Sequence, residues 1–203
     1  MTEVPVARVF YYELYDADLR KLEGRSNLDP GQGGGARDLR LPNKQFRYFM
    51  EKLFPIETEQ KEPSSTTDSP IIRSGTFYWY KGGELKDDKI CFHPPTPSRP
   101  TESRIAKVNQ CPPLQEKLPT PSNNRLFLLL IQAHDGKVYP EYIVEDEIRR
   151  TASSSEVPKA VLGCIDRVDS IASSKQRKPD RVMGYVEFDS CGGRPMESYC
   201  HER

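Results

Sequence analysis

The chain has 203 residues, long enough to bury one real core and too short for two full domains. Thirty basic residues balance thirty acidic ones, which excludes a globally basic nucleic-acid binder and confines any such role to local patches. An apolar content of 35% with 18 prolines and a mean hydropathy of −0.72 predicts a lean core with much of the chain in exposed loops.

In chain order, Val6–Tyr15 is rich in β-branched and aromatic residues and reads as the first strand. A glycine-rich stretch from Lys21 to Arg40 follows, in which Gly33, Gly34 and Gly35 let the backbone approach a ligand closely. From about Asn43 to Phe54 apolar residues recur at helical spacing, and Pro55 stops the run. Residues 56–70, dense in Glu, Ser, Thr and Pro, read as a flexible connector without chemistry. Ile71–Tyr80 reads as a strand, Lys81–Glu84 as a turn and Lys89–Phe92 as the returning strand. A proline-rich bend at Pro94–Pro100 then leads into an alternating stretch that brings Arg104 near Lys107.

Pro112–Asn124 is a second proline-rich loop, and Arg125–Ile131, the most apolar run, is the expected central strand. Asp135-Gly136 signals a hairpin that pairs Lys137–Val144 back. Glu145–Arg150 reads as a short helix, Ser153–Glu156 breaks or recaps it, and Val157–Gly163 is ambiguous between helix and strand. Val182–Phe188 is the expected last strand, before a polar tail from about residue 190. These elements predict one α+β domain over residues 1–203, a mostly antiparallel β pseudobarrel with one or two short helices and long polar loops. A doubly wound parallel sheet is disfavoured, because the glycine cluster lies well past the first strand and opens on Asp29-Pro30.

The residues that bear chemistry are mostly basic. Arg25 and Arg37 offer planar forks to guanine or phosphate, while Asn27 and Gln32 carry the amide pattern that matches adenine. Arg40, Lys44, Arg104 and Lys107 suit phosphates, which set register rather than sequence. Asp38 has a second reading, as a partner of Arg37 or Arg40 that shapes the loop. Phe77–Tyr80 read as core rather than a stacking platform for bases.

Other chemistries are weaker. Glu59 and Lys61, with Asp38 upstream, outline a metal-dependent nuclease, but they fall in the connector rather than on a rigid strand edge. His93, His134 and His201 all read as loop residues, and no nucleophile elbow is present. Five cysteines without a C-x-x-C pair read as reduced thiols, and Cys164, Cys191, Cys200 and His201, with His93, match no standard zinc module. No cofactor is expected. With no apolar run near 18 residues and no leader pattern, a cytoplasmic protein with no membrane contact is expected. An interaction module using Pro94–Pro100 and Pro112–Pro121 in polyproline form is the alternative function.

The order of these features resembles the N-terminal effector-binding domain of EcoRII-type restriction endonucleases, a DNA-binding pseudobarrel also seen in plant transcription factors of the auxin-response type. Lys21 through Pro55 is similar to that family's first recognition arm: a basic-Leu start, Ser26-Asn27, the glycines, then Leu41-Pro42 and a helix ending in Glu51–Pro55. Glu102–Lys107 resembles the second arm, and Arg125–Asp146 the long hairpin that follows it. The resemblance implies sequence-specific recognition of double-stranded DNA by two basic arms. The chain would then serve a restriction or defence system as its specificity component, or act as a stand-alone regulator. It leaves no room for the family's nuclease domain, so cleavage would belong to a separate effector protein.

Overall fold

The computed structural model describes residues 5–23, 38–58, 72–95, 100–120, 123–189 and 193–202. In chain order the elements are β1 (Val6–Leu14), α1 (Asp16–Leu22), β2 (Leu39–Pro42), α2 (Asn43–Leu53), β3 (Ile56–Thr58), β4 (Ile72–Lys81), β5 (Glu84–His93) and β6 (Glu102–Ala106). A 3-10 turn (Val108–Gln110) and α3 (Pro112–Gln115) precede β7 (Leu126–Ala133), β8 (Val138–Val144), α4 (Glu145–Thr151), α5 (Glu156–Ser174), β9 (Met183–Phe188) and β10 (Pro195–Cys200). The class is α+β with antiparallel strand pairs. Residues form two compact units, one from Asp16 to Leu118 and the other from the first strand through Tyr15 together with Pro119 onward.

The unit containing both termini is a five-stranded antiparallel sheet in the order β10-β9-β1-β7-β8. β1, not β7, is its central strand, and Val9 through Leu14 are all buried. A strand covered on both faces carries no period-two alternation, which explains the unbroken apolar runs. Val9, Tyr11, Phe127, Leu129 and Val186 form one core cluster with Ile148 of α4 and Val161, Cys164, Ile165 and Val168 of α5.

The expectation of one or two short helices is wrong here, because α5 runs 19 residues through a stretch left ambiguous in the sequence. Pro158 sits in its first turn, where backbone N–H groups have no helical partner to lose. Its end is a left-handed cap: Gln176 takes φ 50°, and the N–H groups of Gln176 and Arg177 donate to the carbonyls of Ser173 and Ala172 at 3.2 and 3.1 Å. The polar tail contains a strand unforeseen in the sequence, β10, whose first four residues are exposed. Cys164 and Cys200 are joined by a disulfide, with Cα atoms 5.5 Å apart, which corrects the expectation of reduced thiols at these two positions.

The other unit pairs β4-β5-β6-β2 antiparallel, and the short β3 pairs antiparallel with the start of β4. The residues read as the start of the connector, Ile56–Thr58, are therefore strand. Helix α2 buries Phe46, Phe49, Met50 and Leu53 at helical spacing, and the Phe54 ring lies 5.6 Å from the rings of both Phe77 and Phe92. Alternation along β4 sends Phe77 and Trp79 inward and leaves Tyr80 exposed, so the aromatic run is core on one face only. Trp79 Nε1 and Lys81 Nζ both donate to Glu116 just past α3. Pro112 and Pro113 open α3, so this part of the second proline-rich segment is helical, not polyproline, and Pro113 is buried.

Gly75 is where β4 passes the end of α2. A Cβ there would collide with the Leu53 carbonyl, and backbone on both sides cannot give way. Gly75→Ala is expected to destabilise the fold by about 1–3 kcal/mol. Gly163→Ala in α5, where a Cβ meets open space, is expected to stabilise by about 0.5–1 kcal/mol. Urea unfolding of both variants checks the pair; an unchanged midpoint for Gly75→Ala would contradict the close approach.

Candidate functional site

Three adjacent strands of the Asp16–Leu118 unit carry basic side chains in register. His93 on β5 lies opposite Arg104 on β6, and Arg104 lies opposite Arg40 on β2. Directly paired residues project from the same face of a sheet, so the three form a cross-strand row. His93 is the last residue of β5, which corrects its reading as a loop residue.

Asp38 organises this row. Its Oδ2 accepts from Arg104 Nη1 at 3.0 Å, and its Oδ1 accepts from the backbone N–H of Lys107 at 3.1 Å. Lys107 is held in the left-handed region, at φ 55° and ψ 36°, a conformation that costs a residue with a Cβ about 1–2 kcal/mol. The carboxylate thus stabilises a strained turn directly after β6 and orients a guanidinium on the strand. Arg40 pairs with Glu102 at 3.4 Å, and its side chain is 49% exposed against 22% for Arg104. The sequence offered Arg37 or Arg40 as partners for Asp38; among the described residues Arg104, distant in sequence but adjacent across the sheet, donates to it.

Of the expected site residues, Arg40, Arg104 and Lys107 are brought together here. Lys44 is the second residue of α2, directly after β2. Arg25, Asn27, Gln32 and Arg37 lie outside the described residues. So do Glu59, Lys61 and Cys191 from the metal readings, and the disulfide consumes Cys164 and Cys200. His93 went unrecognised as a member of this site. Its signal was the alternation of Ile90, Phe92 inward with Cys91, His93 outward, which continues the returning strand one residue past Phe92.

A second charged constellation, unforeseen in the sequence, sits in the other unit. Arg125 donates from Nε and Nη2 to the two oxygens of Glu13 at 2.9 and 3.2 Å, and from Nη1 to both oxygens of Asp169 at 3.1 Å. Glu13 also accepts the Val182 N–H at 2.8 Å. These groups line an open groove with Tyr15, Glu145 and Arg177. The guanidinium is already saturated by carboxylates, so this arrangement fastens β1, α5 and the approach to β9 rather than presenting a free donor. No protein-family model, curated protein or solved structure matches the chain.

Burial, then the neighbouring Arg104 guanidinium, lowers the His93 pKa below its ordinary 6.5; Asp38 pulls it the other way and Lys107 adds to the depression. The unfolded imidazole binds a proton more readily, so this contribution to stability is fully present above about pH 6.5 and is lost as pH falls below it. The urea midpoint is expected to drop between pH 7 and pH 5, with a smaller drop in His93→Asn. Equal drops in both proteins would rule out this environment for His93.

Proposed function

We propose that the chain binds double-stranded DNA through the Arg104–Arg40 row and Lys107, together with the glycine-rich segment that ends at Asp38. The observation that carries this reading is the register of β2 and β6. It sets Arg40 and Arg104 directly opposite each other, beside Asp38 at the entry to β2 and close to the turn that follows β6. Two segments far apart in sequence, the ones that resemble the two arms of the EcoRII-type domain, thereby share one anchor.

In this reading Arg40, the more exposed guanidinium, contacts phosphate, and Lys107 presents a second cation from its fixed turn. Arg104, tied to Asp38, positions the row. Arg25, Asn27, Gln32 and Arg37 read base edges in the major groove, and Lys44 adds a phosphate contact at the start of α2. The strands close toward a pseudobarrel, and the chain acts as the specificity component of a restriction or defence system, or as a regulator, inside the cytoplasm. A nuclease role finds less support, because Asp38, its nearest described carboxylate, is committed to Arg104 and the Lys107 amide. The polyproline reading loses Pro112 and Pro113 to α3.

A randomised duplex library retained on the protein at two salt concentrations tests the function. The expected result is a consensus that persists at both. Arg40→Ala lowers affinity for all sequences and reduces the salt slope by about 1. Replacing Arg25, Asn27 and Arg37 erases the consensus. Lys107→Gly relieves the left-handed strain, so it raises stability by about 1 kcal/mol while weakening duplex binding. A retained pool without consensus, or no retention at low salt, would overturn the proposal.

A further inference from the structure

We propose that the Cys164–Cys200 bridge is a reversible thiol–disulfide exchange site, opened by a dithiol reductant, that clasps β10 to α5. Both cysteines line a groove of about 320 Å³ whose walls include Lys159, Gly163, Arg167 and Ser198. Gly163 immediately precedes Cys164, and a Cβ in its place would meet nothing, so no side chain at this position shields the bond. Cys200 is half-buried whereas Cys164 is almost fully buried, which makes the Cys200 sulfur the one an incoming thiolate reaches. The two described free thiols, Cys91 on β5 and Cys111, both belong to the other unit, and Cys111 is a poor competitor for exchange, since burial pushes it up to about 12.

The reaction balances as ordinary exchange. A thiolate of the reductant attacks Cys200 Sγ, the bridge breaks, and Cys164 leaves as a thiolate that takes up a proton. The reductant's second thiolate then displaces Cys200, which is protonated in turn, and the reductant departs as its own disulfide. Two electrons and two protons reach the protein.

Opening the bridge matters because of where it sits. β10 is the outer strand of its unit and pairs with β9. Its other ties are non-covalent and include the Tyr11 hydroxyl donating to the Tyr199 carbonyl at 3.1 Å, the Tyr185 hydroxyl donating to Glu197 at 3.0 Å, Tyr199 stacked on Tyr185 at 5.6 Å, the His201 N–H donating to Met183, and an ion pair from Arg167 of α5 to Glu202 just past the strand. The covalent link from Cys200 to α5 is the one tie that solvent fluctuation cannot open. Reduction converts β10 from a fixed edge into a strand that frays and bares the edge of β9.

The experiment uses the full chain under native conditions. The protein is treated with dithiothreitol, alkylated, mapped by mass, and followed by amide hydrogen exchange. Two newly alkylated thiols, at Cys164 and Cys200, are expected without global unfolding. Exchange in residues 195–200 accelerates tenfold or more, while β1 and β7 stay protected. Cys200→Ser shows the fast exchange without reductant, and Gly163→Leu, which shields the bond while leaving it intact, slows reduction at least several-fold. Reduction only after denaturation, unchanged β10 exchange after reduction, equal rates for Gly163→Leu, or free thiols at both positions in air-oxidised native protein would each overturn the proposal.

Discussion

The organisation of the Asp16–Leu118 unit around its basic row depends on one carboxylate. Asp38 is mostly buried and accepts from a guanidinium through one oxygen and from a backbone N–H through the other. A carboxylate so placed costs free energy to desolvate, and both charge-assisted bonds are needed to offset it. The bonds reach Arg104 and Lys107, 66 and 69 positions away in sequence, so the carboxylate staples the entry into β2 to the exit from β6. Without it, the left-handed turn at Lys107 would lose the bond to its own N–H, and Arg104 would lose the carboxylate that orients it.

The unit with both termini solves a similar problem with different means. Its sheet is held by apolar burial on the α4–α5 face, by the bidentate clasps of Arg125 on Glu13 and Asp169, and by the bridge from α5 to the outer strand. Gly184 of β9 shows how tightly the outer strand is seated, since a Cβ there would strike both the Tyr199 carbonyl and the Tyr11 hydroxyl. The two units thus each carry a concentrated polar fastening among their buried residues.

Elements whose sequence pattern matches their local environment were legible. β1, α2, the β4–β5 and β7–β8 hairpins, α4 and β9 were all readable, because apolar periodicity and the Gly82-Gly83 and Asp135-Gly136 turns agreed with tertiary packing. Helix α5 was not, although Val157, Val161, Cys164, Ile165, Val168 and Ala172 mark one helical face. Pro158 and Gly163 disguised it, yet a proline in the first turn is harmless, and Gly163 lies on the exposed side. β2, β3 and β10 are short or exposed strands whose pairing is a tertiary fact with little local signal. Of the site, Arg40, Arg104 and Lys107 were identifiable as cations, but the bond that gathers two of them could not be read, because the register of β2 on β6 decides it. The disulfide was hidden for the same reason: 36 residues separate its ends, and only the packing of α5 beside β10 brings them together.

The sign of one mutational effect tests the account most directly. Asp38→Asn removes a negative charge from beside the basic row, which by simple electrostatics would raise affinity for a polyanion. If Asp38 instead holds Arg104 and the Lys107 turn in place, duplex affinity measured at fixed salt should fall, by roughly tenfold for the loss of about 1.4 kcal/mol of coupling, and an Arg104→Ala background should abolish most of that effect. Tighter binding by Asp38→Asn, or the same loss in both backgrounds, would contradict the claim that this carboxylate builds the site.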